Sequence, residues 1–273
     1  MQKLKNRFFY SFLFIFLITG SLVSLNVGIS HDEWHEEENW KYNVSLSKNV
    51  KNYIFSDEKL DKSLENYKDK YYGVGFQIVS QPIQFFLKKI IKNENIDSFG
   101  AKLISKHFVV FLFFFISGVC FYLILKKIID NDDFCYLALL LYLLYPYLFG
   151  QSLFSPKDVP FMAIWVVCTY LSFNIFENLI QNENVTSKSL IILSISTAFL
   201  ISIRVTGILI LLQYLISLTI YSISSGTSFK IFLKTIYSKI LIFILFLILF
   251  IYLFYPLYWL DPKLFITAIR EMG

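Results

Sequence analysis

The sequence predicts an all-α, polytopic membrane protein. It has about seven transmembrane helices and a large first extracytoplasmic loop that carries interfacial helices. Three observations predict it. The 273 residues are 56% hydrophobic and only 16% charged, with mean hydropathy +0.58, whereas soluble domains are about 45–50% apolar and about 25% charged. Apolar runs of spanning length, about 17–25 residues, recur along the chain. Lysine and arginine also collect in alternate short connections, as membrane topology requires.

The first run extends from Phe8 to Ile29, behind Lys3, Lys5 and Arg7. It is longer than a signal-peptide core of about 7–15 residues, and no A-x-A-like cleavage site follows, so it reads as a retained anchor. Residues 30–106 form the long polar stretch, with most of the acidic residues and an aromatic patch from Tyr71 to Phe76. Within it, 76–91 is apolar but interrupted by glutamines, Pro82 and lysines, a pattern suited to a helix lying in the interface. Spans follow at 107–125, 134–151 and 159–180. The block 189–224 is too long for one crossing of a core about 30 Å thick. Arg204-Val-Thr-Gly207 interrupts it, so it divides into a tight pair, 189–203 and 205–224, and a last span covers 238–258. No internal repeat accompanies them, and the whole of 1–273 reads as one membrane domain.

Basic residues in the short connections set the orientation. With the amino terminus cytoplasmic, residues 1–7, Lys126-Lys127, Lys188, Lys230 and Lys234 all fall on the cytoplasmic side. The loop 30–106, the turn 152–158, Arg204 and the stretch from Tyr255 to Gly273 then fall outside. The chemically capable residues therefore share the extracytoplasmic face of a multi-pass protein of a bacterial inner or ER-type membrane.

Four groups of residues could do work there. His31-Asp32-Glu33-Trp34-His35 follows the first span; paired carboxylates suit general-base chemistry or cation binding, and equally suit the capping of a helix start. The histidines at i and i+4 imitate H-E-x-x-H, but Asp32 stands where that zinc motif has glutamate, and no third ligand can be named. In Ser155-Pro156-Lys157-Asp158-Val159-Pro160, Asp158 and Pro160 mark a helix start. Lys157 stands beside its free amides, where phosphate is favoured; a capped turn with a snorkelling lysine is the plainer reading. Arg204 is isolated among apolar residues, which marks it as functional or as an interfacial anchor. The stretch Tyr255-Pro-Leu-Tyr-Trp259-Leu-Asp261-Pro262 reads as an aromatic belt at the membrane surface. Cys120, Cys135 and Cys168 lack metal or redox spacing and read as buried apolar groups. The sequons at Asn43 and Asn184 carry no functional information. The scattered lysines form no basic stripe, so no nucleic-acid partner is expected.

Asp32-Glu33-x-His35, the stretch Leu148-Phe-Gly-Gln-Ser-Leu-Phe-Ser-Pro-Lys-Asp-Val-Pro160 and Ile203-Arg-Val-Thr-Gly207 together resemble the GT-C glycosyltransferases. The resemblance is especially to the bacterial branch similar to dolichyl-phosphate-mannose–protein mannosyltransferases. The resemblance implies an inverting transfer of a sugar from a polyprenyl-phosphate donor to a protein, lipid or glycan acceptor. Asp32 would be the general base, with Glu33 supporting it. His35, Lys157, Asp158 and Arg204 would bind substrate, the two cations neutralising the phosphate leaving group. The family also leaves room for a divalent cation near Asp32 and Glu33. Its members carry further spans and often an outer domain, so the expectation is a truncated product, a fragment or an unusually short member. A transporter or flippase of lipid-linked or small solutes, and a non-catalytic envelope subunit, are the alternatives from other classes.

Overall fold

The computed structural model describes residues 2–56, 59, 67–91, 97–180, 185–224 and 229–272, and the regular structure among them is helical. Twelve α-helices follow in order: α1 Gln2–Ser24, α2 His31–Ser56, α3 Gly75–Ile91, α4 Ser98–Ile128, α5 Asp132–Leu144, α6 Pro146–Ser152, α7 Asp158–Ile180, α8 Ser187–Ile203, α9 Ile210–Ser224, α10 Phe229–Phe254, α11 Leu257–Leu260 and α12 Leu264–Met272. A 3₁₀ turn, Val205–Leu209, separates α8 from α9. The sequon at Asn184 lies outside the described residues, whereas Asn43 is buried in α2 and donates to the Asn39 carbonyl at 2.9 Å.

Five of these helices are long and apolar enough to cross a membrane: the spans Arg7–Ser24, Ser98–Ile128, Asp158–Leu179, Val205–Ile223 and Ile236–Phe254. A sixth crossing arises if α5 and α6, bent by 57° at their junction, count as one. The bend has a local cause: Pro146 offers no amide hydrogen, and the residue before a proline is pushed out of helical geometry. Tyr145 has ψ 117° accordingly. The 17 residues of α8 rise roughly 26 Å, short of a core of about 30 Å, so the expected count of seven is not reached on length and composition. The helix expected from residue 107 begins at Ser98, capped by Asp97, whose carboxylate accepts from the Gly100 amide. Lys102 and Lys106 lower the hydropathy of this first part.

The chain falls into two compact units. Met1–Glu36 with Gln77–Val167 forms the first, and Glu37–Phe76 with Cys168–Gly273 the second. In the first, α1 packs on α4 through Phe16, whose ring centroid lies 5.6 Å from that of Phe111. The Ser117 hydroxyl links α4 to Tyr142 of α5 at 2.8 Å. The short α3 is apolar on its outside. Gln77, Ser80 and Gln84 are fully buried while Phe85, Phe86 and Ile90 are more than half exposed. The i, i+3, i+7 spacing puts the polar groups on one stripe. Gln84 Nε2 donates to the Lys102 carbonyl at 2.9 Å, tying the stripe to α4.

In the second unit α8 lies along α10, with Ser194 Oγ donating to the Phe243 carbonyl at 3.0 Å. A tyrosine-rich core joins Tyr42 and Leu46 of α2 to Val205, Tyr255, Leu257, Tyr258 and Ala268. Tyr255 and Tyr258 are 1% and 2% exposed, so these two rings are core groups rather than members of a surface belt. The Tyr255 hydroxyl donates to the Ile201 carbonyl at 3.1 Å. Residues 73–75 rest on the end of α8: a Cβ on Gly73 would lie 2.1 Å from the Ser202 carbonyl oxygen, and one on Gly75 1.9 Å from Ser202 Oγ. Only glycine lets the backbones approach so closely.

Candidate functional site

The amino end of α2 sorts its charges by helical period. Glu33, Glu36 and Glu37, at i, i+3 and i+4, are buried, while His31, Asp32 and His35 are exposed. The start is fixed by half of a capping box: the Ser30 amide donates to Glu33 Oε1 at 2.7 Å. Asp32 lies in this first turn, where the free amides and helix dipole favour a carboxylate. The Trp34 ring, half exposed, meets Phe99 of α4 with centroids 4.7 Å apart.

The second oxygen of Glu33 meets a group that no local motif singles out. His107, fully buried in α4, places Nε2 2.9 Å from Glu33 Oε2 and Nδ1 3.0 Å from the Ser24 carbonyl. A carbonyl only accepts, so the network assigns a hydrogen to Nδ1. The Nε2–carboxylate contact then needs one further proton, held by the imidazole or by the carboxyl. Glu33 and His107 therefore form a proton-bridged pair joining the ends of α1 and α2 to α4. Both side chains are fully buried, and their contact ties the first turn of α2 to α4.

Lys157 is also held from α2. Its ammonium donates to Glu36 Oε1 at 2.9 Å, with side-chain exposures of 17% and 8%. Lys157 directly precedes α7, and Asp158, exposed, is the first residue of that helix. Asp32 and Glu36, four residues apart, are neighbours on one helix face. An exposed carboxylate thus stands one turn before the carboxylate that anchors a cation. Of the predicted site residues, Asp32, Glu33, His35, Lys157 and Asp158 lie in the first unit, and Glu33 is committed to His107 and Ser30.

Arg204 lies in the second unit, half-buried, in extended conformation (φ −143°, ψ 132°) between α8 and the 3₁₀ turn. Its carbonyl accepts from the Gly207 amide at 2.8 Å, which reverses the chain where the Arg204–Gly207 interruption predicted a break. Val205 beside it belongs to the tyrosine-rich core. In that core, Tyr42 stacks on Tyr67 with centroids 4.4 Å apart, and the Tyr67 hydroxyl donates to Asn39 Oδ1 at 2.8 Å. Burial pushes the Tyr258 phenol well above its ordinary range, so it holds its proton at neutral pH and does not suit acid–base work.

The first carboxylates of α2 differ in surroundings. Asp32 is exposed, whereas Glu33 is buried with one oxygen on the Ser30 amide and the other on His107. Among the described residues no group of three or more His, Cys, Asp or Glu side chains is placed to hold a metal ion.

His107 and Glu36 are the two residues sequence reasoning missed. Glu36 was legible in principle, because helical periodicity in HDEWHEEE separates 33, 36 and 37 from 32 and 35. His107 sits 74 positions from its partner, with no local motif. No protein-family model matches the chain, and no curated protein or solved structure matches it.

Proposed function

We propose that the chain transfers a sugar from a polyprenyl-phosphate donor to an acceptor hydroxyl at the extracytoplasmic face of a membrane. The transfer inverts the anomeric centre, as in the GT-C glycosyltransferases its motifs resemble. The observation that supports this best is the split within the first turns of α2: Asp32 is exposed while Glu33 and Glu36 are buried and hold His107 and Lys157. A general base must be reachable by the acceptor yet rigidly oriented, and this division of labour meets both needs.

In this reading Asp32 takes the proton of the acceptor hydroxyl. The oxygen attacks the anomeric carbon opposite the phosphate, the carbon–phosphate-oxygen bond breaks, and polyprenyl phosphate leaves as the anion. Lys157 neutralises the developing charge, and Glu36 keeps it near the first turn of α2 until phosphate arrives. The resemblance gives Arg204 the same office toward phosphate, and His35 and Asp158 contacts with substrate. The topology that accompanies the reading has a cytoplasmic amino terminus and seven crossings, with α8 as a short one.

The test is to reconstitute purified protein in bilayers with polyprenyl-phosphate sugars and to measure released polyprenyl phosphate. Release by the wild type, lost in Asp32→Asn with insertion intact, is the expected result. Undiminished release in that variant removes the base assignment. Facilitated flux of the lipid-linked sugar without cleavage would instead identify a flippase.

A further inference from the structure

A cavity of about 490 Å³ opens within the second unit, between the last turns of α7, the first turns of α8, the middle of α9 and the first half of α10. Leu193, Leu211, Leu215, Ile240 and Phe243 are among its walls. Two of the lining residues carry polar side-chain groups. The Tyr214 hydroxyl is already engaged 3.0 Å from Thr197 Oγ1, which leaves Lys239, the one charged residue of the lining. An apolar cavity of this kind stays dry and takes hydrocarbon, and its volume suits a ligand rather than a packing defect.

We propose that this cavity is a binding site for an anionic phospholipid, with an acyl chain between α7, α9 and α10 and the phosphate headgroup on Lys239. Three features select that occupant. Lys239 lies three residues inside the span Ile236–Phe254, the depth at which a lysine stem reaches its ammonium toward the headgroups. Exposed lysines mark the same end of these helices: Lys188 in the first turn of α8 and Lys234 in the second turn of α10. An apolar recess between spanning helices with lysines at one end suits an anionic lipid, whose charged headgroup the lysines attract. Further along α10, Ile244 and Leu247 continue the wall away from the cation, so charge and hydrocarbon are segregated as in a lipid. The site is independent of the glycosyl-transfer reading, whose residues Asp32, Lys157 and Arg204 are not part of its lining.

The test uses the full chain purified in detergent and stripped of lipid. Thermal unfolding and native mass spectrometry are recorded with phosphatidylglycerol, with phosphatidylcholine and with inorganic phosphate. Phosphatidylglycerol is expected to raise the unfolding temperature and to be retained about fivefold over phosphatidylcholine, which corresponds to the ~1 kcal/mol a lysine contributes toward an anionic lipid surface. Lys239→Gln should reduce the ratio to about one while lipid is still retained, and Leu193→Trp, which fills the cavity, should lose both lipids. Equal retention by the wild type, an unchanged preference in Lys239→Gln, or the same stabilisation by inorganic phosphate overturns the proposal. If Leu193→Trp fails to fold, the Lys239→Gln ratio alone decides.

Discussion

Two regions of the molecule solve the same problem, holding a helix end in place, by opposite means. The amino end of α2 is held by polar pairs: Glu33 to His107 through a shared proton and Glu36 to Lys157 as ions, all largely removed from solvent. The carboxyl end of α8 is held by contact: Gly73 and Gly75 laid on Ser202, and the Tyr255 hydroxyl on the Ile201 carbonyl. A buried ion pair tolerates small shifts but fails badly when one partner is lost, because the other remains as an uncompensated charge. A glycine contact is indifferent to charge and fails when a single carbon is added. The ionic end leaves a carboxylate, Asp32, standing free of the scaffold.

That contrast can be broken by experiment. Asp32→Asn should lower transfer by roughly 10²–10⁴-fold, the usual contribution of a positioned base, with unfolding temperature unchanged. A loss of stability in that variant would mean that Asp32 belongs to the scaffold after all. His107→Ala should destabilise by about 3–5 kcal/mol by leaving Glu33 buried without its partner. His107→Gln, which keeps a donor toward the carboxylate, should recover much of that in thermal unfolding. Gly73→Ala should cost about 1–3 kcal/mol through overpacking against the Ser202 carbonyl, and the loss should be insensitive to pH. Tyr255→Phe removes one hydrogen bond and should cost about 1 kcal/mol, measured the same way. Equal losses in His107→Ala and His107→Gln would erase the distinction between the two regions.

Much of the architecture was legible because a membrane imposes simple rules. Apolar length marked α1, α7 and α10, and Arg204-Val-Thr-Gly207 marked the break between α8 and α9 because a charge and a glycine interrupt an otherwise apolar block. Pro156 through Pro160 announced the start of α7 by its capping chemistry. What escaped was whatever depends on contacts between distant segments. Lys102 and Lys106 lowered the apparent hydrophobicity of a stretch that is nonetheless the first part of α4, with Lys106 fully buried. Tyr255 and Tyr258 have the composition of an interfacial belt, and packing with distant residues such as Tyr42, Leu46 and Val205 makes them core. For the candidate site, Asp32 and Lys157 were visible as residue types in suggestive surroundings. Their supporting partners, His107 and Glu36, were not.

The inverted helix α3 has a consequence for variation along this chain. In a water-soluble fold, random substitution is absorbed at polar outward positions and punished at apolar inward ones. On α3 the burden should be reversed. Phe85, Phe86 and Ile90 face outward and should exchange freely for one another or for leucine, whereas Gln77, Ser80 and Gln84 should accept almost nothing. A saturation library of residues 75–91 would look like the photographic negative of a soluble amphipathic helix.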